Sequence, residues 1–185
     1  MAVLSNYREN PPAFIASFIA GILIGMATIF NINAGQGLVG AFCFSFGLIV
    51  ILELNLRLVT GLFARKASMR ELGVALLGNT IGSFLMGLWY FKDVRVYCAL
   101  DFNILDTFVL AMFCGICIYA AVHVSQIWVP LCIACFVISL APHCVVVPFY
   151  VNNFNLVRWL VVILGNFVGG RGLWFLLNRG GTCGL

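Results

Sequence analysis

Leu77-Gly78-Asn79-Thr80-Ile81-Gly82 and Leu164-Gly165-Asn166-Phe167-Val168-Gly169-Gly170 carry the same Gly-Asn pair, each followed by a glycine three residues after the asparagine. Both copies lie in apolar stretches, and each half of the 185-residue chain holds one. A primary amide in hydrocarbon is costly unless partnered, so it turns toward a packed interior or a water-lined path. Glycines beside it let a second backbone come close. The duplicated motif predicts a membrane protein of two related halves around a central route.

Composition sets the class. The chain is 63% hydrophobic and 9% charged, with a mean hydropathy of +1.11. A soluble domain carries about 25% charged residues. No charged residue falls between Asn10 and Leu52, or between Thr107 and Val157. Runs of that length predict an integral membrane protein. Continuous apolar runs with Gly and Ala predict helices, because barrel strands alternate. The net charge of +4 is spread through the loops, so no nucleic-acid surface is expected. Met1 to Pro12 reads as a short polar lead without a signal-peptide cleavage pattern. Of the eight cysteines, Cys114 and Cys117, and Cys132 and Cys135, have zinc-like spacing. Both pairs lie in apolar helices with no acid nearby, so they read as packing residues, and no metal is expected.

Six apolar segments can be marked. They run from Ala13 to Phe30, Leu38 to Leu52, Leu72 to Phe91, Ile104 to Val122, from Ile127 to an interruption at Pro142, and from Leu156 to Leu177. The second and fifth are irregular. Polar and apolar residues alternate from Glu53 to Phe63, a poor helical pattern. Pro142 and Pro148 break the fifth, because proline removes a donor and ends or kinks a helix. Interrupted segments in matching positions of two halves are the sequence pointer to a transport site.

Orientation follows from positive charge. Arg8, Arg65, Lys66, Arg70 and Arg179 fall on one side. Lys92, Arg95 and Arg158 fall on the other, offset by Asp93, Asp101 and Asp106. Both termini are therefore expected in the cytoplasm, in a multi-pass protein of the plasma membrane (the inner membrane of a prokaryote).

Beyond these patterns, the chain resembles the formate/nitrite transporter family. The stretch from Leu38 to Ile49 looks like that family's second helix, and Leu58-Val59-Thr60-Gly61 is similar to its Leu-Phe-Thr-Gly loop. Ala67-Ser68-Met69-Arg70 with the first Gly-Asn motif resembles the entry into its third helix, and the second motif its sixth. His143, with Phe136 seven residues before it, sits where the family places a pore histidine. The resemblance implies an all-α, aquaporin-like channel domain spanning residues 1–185. Its six transmembrane helices form two inverted three-helix halves, about 13–91 and 104–177, with the second and fifth helices broken. It also implies a homopentamer in the lipid bilayer.

The implied function is a passive or proton-linked channel for small monovalent anions such as formate, nitrite or hydrosulfide, without covalent chemistry or a bound cofactor. His143 would meet the anion and exchange a proton with it; the alternative is a packed histidine at the Pro142 break. Thr60 would offer its hydroxyl to a substrate or to freed backbone groups. Asn79 and Asn166 would line the route or tie down carbonyls of the broken segments. Phe44, Leu48, Val59 and Phe136 fall where the family narrows its pore. Arg57 either raises the positive potential at the vestibule or pairs with Glu53, four residues back. Arg171 would stand in for a family lysine that has no counterpart here, or snorkel. His123 reads as an interfacial anchor. Two rival functions remain: a neutral-solute pore of water or glycerol type, and a non-transporting membrane assembly protein.

Overall fold

The computed structural model describes residues 11–90 and 103–179, which contain helices, turns and loops but no strand. The helices are α1 (Ala13–Asn33), α2 (Leu38–Glu53), α3 (Val59–Phe63), α4 (Met69–Trp89), α5 (Ile104–His123), α6 (Val129–Ile138) and α7 (Leu156–Arg179). Short 3₁₀ turns at Gln126–Trp128, Val147–Phe149 and Val151–Asn153 flank α6 and lead into α7. By length and composition, α1, α4, α5 and α7 can each cross a membrane; α2 and α6 are shorter apolar helices. Phe91, Arg8, Lys92, Asp93, Arg95 and Asp101, which the expected segments and orientation use, lie outside the described residues, as does the side chain of Arg179.

Helix ends follow local chemistry. Ser68 caps α4 in a reciprocal capping box with Glu71, and Asn103 caps α5 by accepting from the Asp106 N–H. Each such cap contributes about 1 kcal/mol. Pro130 sits in the first turn of α6, where a missing N–H removes no bond.

The ends of α2 and α6 share one geometry. Asn55 (φ 51°) and Leu140 (φ 55°) both take the left-handed conformation. The Leu56 N–H donates to the Ile51 carbonyl and the Ala141 N–H to the Phe136 carbonyl, both at 2.9 Å. The Asn55 N–H donates to the Leu52 carbonyl and the Leu140 N–H to the Val137 carbonyl, both at 3.1 Å. These are Schellman caps, which satisfy the last carbonyls of a helix and stop it. Asparagine tolerates the left-handed region; for leucine it stores about 1–3 kcal/mol of strain, held only by surrounding structure. The fifth segment therefore stops at Ile138, four residues before the expected interruption at Pro142. The residue preceding a proline is already pushed out of the helical region, so the helix ends upstream of it.

Helix α1 packs on α4, and α5 on α7, at backbone distance. A Cβ on Gly82 would collide with the Phe18 carbonyl, and one on Gly169 with the Met112 carbonyl. A Cβ on Gly21 would likewise meet the Asn79 carbonyl, and one on Gly115 the Asn166 carbonyl. Bare Cα–Cα approach of this kind is how helices gain dispersion contact in lipid, where no hydrophobic drive operates between them. Large apolar side chains such as Leu38, Val39, Phe46, Leu131, Leu160 and Leu176 remain exposed on the outside.

Candidate functional site: two pinned breaks around a histidine–threonine pair

Each Gly-Asn asparagine holds one break. Asn79 is fully buried on α4; its Oδ1 accepts from the Val59 N–H at 2.7 Å. Its Nδ2 donates to the Arg57 carbonyl at 2.9 Å and to the Ser17 carbonyl of α1 at 2.6 Å. Asn166, fully buried on α7, repeats the set. Its Oδ1 accepts from the Cys144 N–H at 2.8 Å, and its Nδ2 donates to the Pro142 carbonyl at 3.1 Å and the Ala111 carbonyl of α5 at 2.8 Å. An amide has one carbonyl and two N–H arms, so it can satisfy a donor and two acceptors freed where a helix breaks. The hydrogen bonds are those of the tying role, and they engage the carbonyl and both N–H arms of each amide. Trp159 adds a third strut, donating Nε1–H to the Cys144 carbonyl at 2.8 Å.

These ties bring the two breaks together. Thr60, at the start of α3, and His143, after α6, are both buried, and Oγ1 lies 3.1 Å from Nε2. The histidine's other nitrogen settles its tautomer. Nδ1 lies 3.2 Å from the Val145 backbone nitrogen, whose N–H can only donate. Nδ1 is therefore the acceptor, the ring proton sits on Nε2, and Nε2–H donates to Thr60 Oγ1. The threonine O–H is left free to rotate toward a third group. A proton added at Nδ1 would break the bond from Val145.

Apolar side chains close over this pair. Phe136 stacks on the His143 ring with centroids 6.0 Å apart, and Phe44 meets Phe136 edge-on at 6.1 Å. Leu48 and Val59 are fully buried in the same apolar core. A cavity of about 50 Å3 is lined by Thr28, Asn31, Phe44, Phe136, His143 and Tyr150 among others. A larger cavity of about 170 Å3 is walled by Leu48, Leu58, Gly61, Arg65, Val122 and His123 among others. Of the four residues expected at a constriction, Phe136 touches His143 directly and Phe44 touches Phe136, while Val59 adjoins Thr60 in the chain.

The charged candidates sit elsewhere than expected. Arg57 does not pair with Glu53; Nη1 lies 3.7 Å from Glu71 Oε1 at the start of α4. The left-handed turn at Asn55 destroys the four-residue helical spacing on which the Glu53 pairing depended. Arg57 lines a surface pocket of about 260 Å3 with Arg65, Lys66 and Glu71. Arg171 is held against backbone and rings. Its Nη1 donates to the Arg65 carbonyl at 2.7 Å, and its guanidinium lies over Trp174 at 5.1 Å and Phe167 at 5.9 Å. Phe167 packs edge-on against Phe63 at 5.3 Å, so Arg171 latches the far end of α3. His123, an interfacial anchor by sequence, stands on the wall of the larger cavity. Trp159 carried no sequence signal.

The comparisons with known proteins bear on this geometry. No protein-family model matches the chain, and no curated protein matches it. Among solved structures, a pentameric formate channel with formate bound superposes with a TM-score of 0.76 at 23% identity, over 90% of this chain and 96% of that one. This chain has the fold of a formate channel. An ion channel described as of the FNT family superposes with a TM-score of 0.75 at 18% identity, over 91% of this chain and 89% of that one.

Proposed function

We propose that this chain is a membrane channel of the formate/nitrite transporter family, passing small monovalent anions such as formate or nitrite. The observation that carries the reading is the buried Thr60–His143 hydrogen bond, with one cavity lined by His143 and another lined by Leu58 and Gly61, which flank Thr60 in the chain. A bare anion is costly between Phe44, Phe136, Leu48 and Val59. The permeant therefore takes a proton at the pair and crosses the constrictions as the neutral weak acid. Thr60 presents its free O–H to the anion: a proton from water that reaches His143 Nδ1, displacing the bond from Val145, lets Nε2–H pass to Thr60 Oγ1 as the threonine O–H passes to the anion, and the ring is left neutral.

The same reading makes α1, α2 with α3, and α4 one half, and α5, α6 with its following turns, and α7 an inverted second half. The matched contacts of Asn79 with Asn166, and of Gly82 with Gly169, support this repeat. Arg57, Arg65 and Lys66 face the cytoplasm, with both termini on that side of a plasma membrane. The apolar outer faces serve lipid and neighbouring copies, five in the assembly.

Flux into liposomes containing the purified chain tests the proposal. Formate or nitrite entry that quickens as the entry side is acidified is expected. Glycerol entry without formate entry would mean a neutral-solute pore. No entry of any solute from a correctly assembled protein would mean a non-transporting membrane protein.

A further inference from the structure

The cavity on the Arg65 side holds a feature that the Thr60–His143 pair does not explain. His123, the last residue of α5, has a ring fixed in two ways. It stacks on Tyr119 with centroids 4.1 Å apart and an interplanar angle of 19°, and its Nδ1 lies 2.8 Å from the Tyr119 carbonyl. A carbonyl can only accept, so Nδ1 carries a proton, and in the neutral ring Nε2 bears the lone pair. Nε2 makes no hydrogen bond to any described residue. His123 and Arg65 are the two ionisable side chains among those that line this cavity of about 170 Å3, and Asn55 adds an amide. Tyr119, beneath the ring, is the other titratable group in contact with His123. The rest of the wall is mainly Leu48, Ile51, Leu52, Leu56, Leu58 and Val122. A packing or anchoring histidine needs neither an oriented free nitrogen nor a cationic neighbour across a cavity of this size.

We propose that this cavity is a second substrate station, at which a small weak acid gives up its proton to His123 Nε2 and its anion is held by Arg65. The inference rests on the proposed passage of a neutral acid through the Thr60–His143 pair. Such an acid, on leaving the constriction at Leu48, must become an anion again before it enters water. The acid's O–H bond breaks and its electron pair stays on the oxygen, giving the anion. The Nε2 lone pair takes the proton, giving an imidazolium. Nothing is oxidised or reduced, and the proton later passes from Nε2 to water. In the opposite direction the same pair assembles the acid from anion and proton. Arg65 keeps its charge throughout and is held in place through its backbone by the Arg171 latch.

The test uses the full chain in lipid nanodiscs, with ¹⁵N-labelled histidine observed by NMR, alongside liposome flux. Titrating formate should move the His123 Nε2 signal toward the protonated position in the wild type, saturably, and the shift should be lost in Arg65→Gln. Chloride, which brings no proton, should not reproduce it. His123→Gln should leave assembly intact, because the side chain is exposed, and should slow formate flux without abolishing it. If the wild type conducts formate but the His123 signal does not respond, or chloride moves it equally, the station is wrong while the channel reading stands. If no acid crosses the wild-type protein, the channel reading itself falls, and the inference falls with it.

Discussion

Thr60 Oγ1 and His143 Nε2 meet at 3.1 Å although they belong to opposite halves of the chain. Neither residue reaches the other from its own helix. Each stands just past a Schellman-capped break, and each break is held by a buried asparagine of the following long helix.

This pair makes the first prediction. Thr60→Val keeps the side-chain shape but leaves Nε2–H unpartnered in a buried site, which costs about 1–3 kcal/mol locally and removes the hydroxyl that meets the permeant. Formate flux should fall sharply in liposomes while the assembly persists on gel filtration. His143→Asn should flatten the rise of flux on acidifying the entry side, since asparagine has donors but cannot pass on a proton. His143→Phe should close the route. An unchanged pH profile in His143→Asn would reduce the histidine to a cap on the α6 break.

Asn79→Ala and Asn166→Ala should each be far more harmful to stability than to any single contact. Each strips one buried N–H and two carbonyls of their partner, at about 1–3 kcal/mol for each orphaned group. Thermal unfolding in detergent should show a large drop in Tm. Asn166→Asp keeps the acceptor for Cys144 but sets an oxygen against the Pro142 and Ala111 carbonyls, so it should be nearly as damaging. A small change in Tm would mean that these amides do not tie the breaks.

Glycines divide by their surroundings. Gly169→Ala forces a methyl into the Met112 carbonyl and should prevent α5 from seating on α7, seen as loss of folded protein. Gly172→Ala, three residues on and with open space around it, should stabilise α7 by about 0.5–1 kcal/mol. Equal effects of the two would remove the close approach from the argument.

The Arg57–Glu71 pair is more than a third exposed on both sides, so water screens it and Arg57→Gln should leave stability nearly unchanged. Its consequence should be electrostatic. With Arg65 and Lys66 it makes the surrounding pocket positive, so Arg57→Gln should slow anion entry from that side at low salt. At high salt the difference should vanish, because screening already removes the attraction. A slowing that persists at high salt would assign Arg57 a contact with the permeant.

What the sequence determined by itself is the solvent and the pair of matching Gly-Asn motifs. Apolar runs without charge demand lipid around helices, because a broken ladder of backbone hydrogen bonds has no water there to satisfy it. Two Gly-Asn motifs and two irregular segments located the places where the ladder does break, and the residue types at those places, a histidine and a threonine, were readable as candidates. Tertiary structure alone decided which groups meet. Arg57 turned from Glu53 to Glu71 because one left-handed residue, Asn55, cancels helical spacing. Asn79 and Asn166 became struts because their amides lie beside backbone groups that another helix presents. Arg171 found the Arg65 carbonyl, and His123 a cavity wall shared with Arg65, across distances that no local pattern encodes. Local propensity acts over a few residues, whereas a buried polar group is satisfied by whatever partner the packed fold carries to within 3 Å or so of it, and that partner is set by the approach of whole helices.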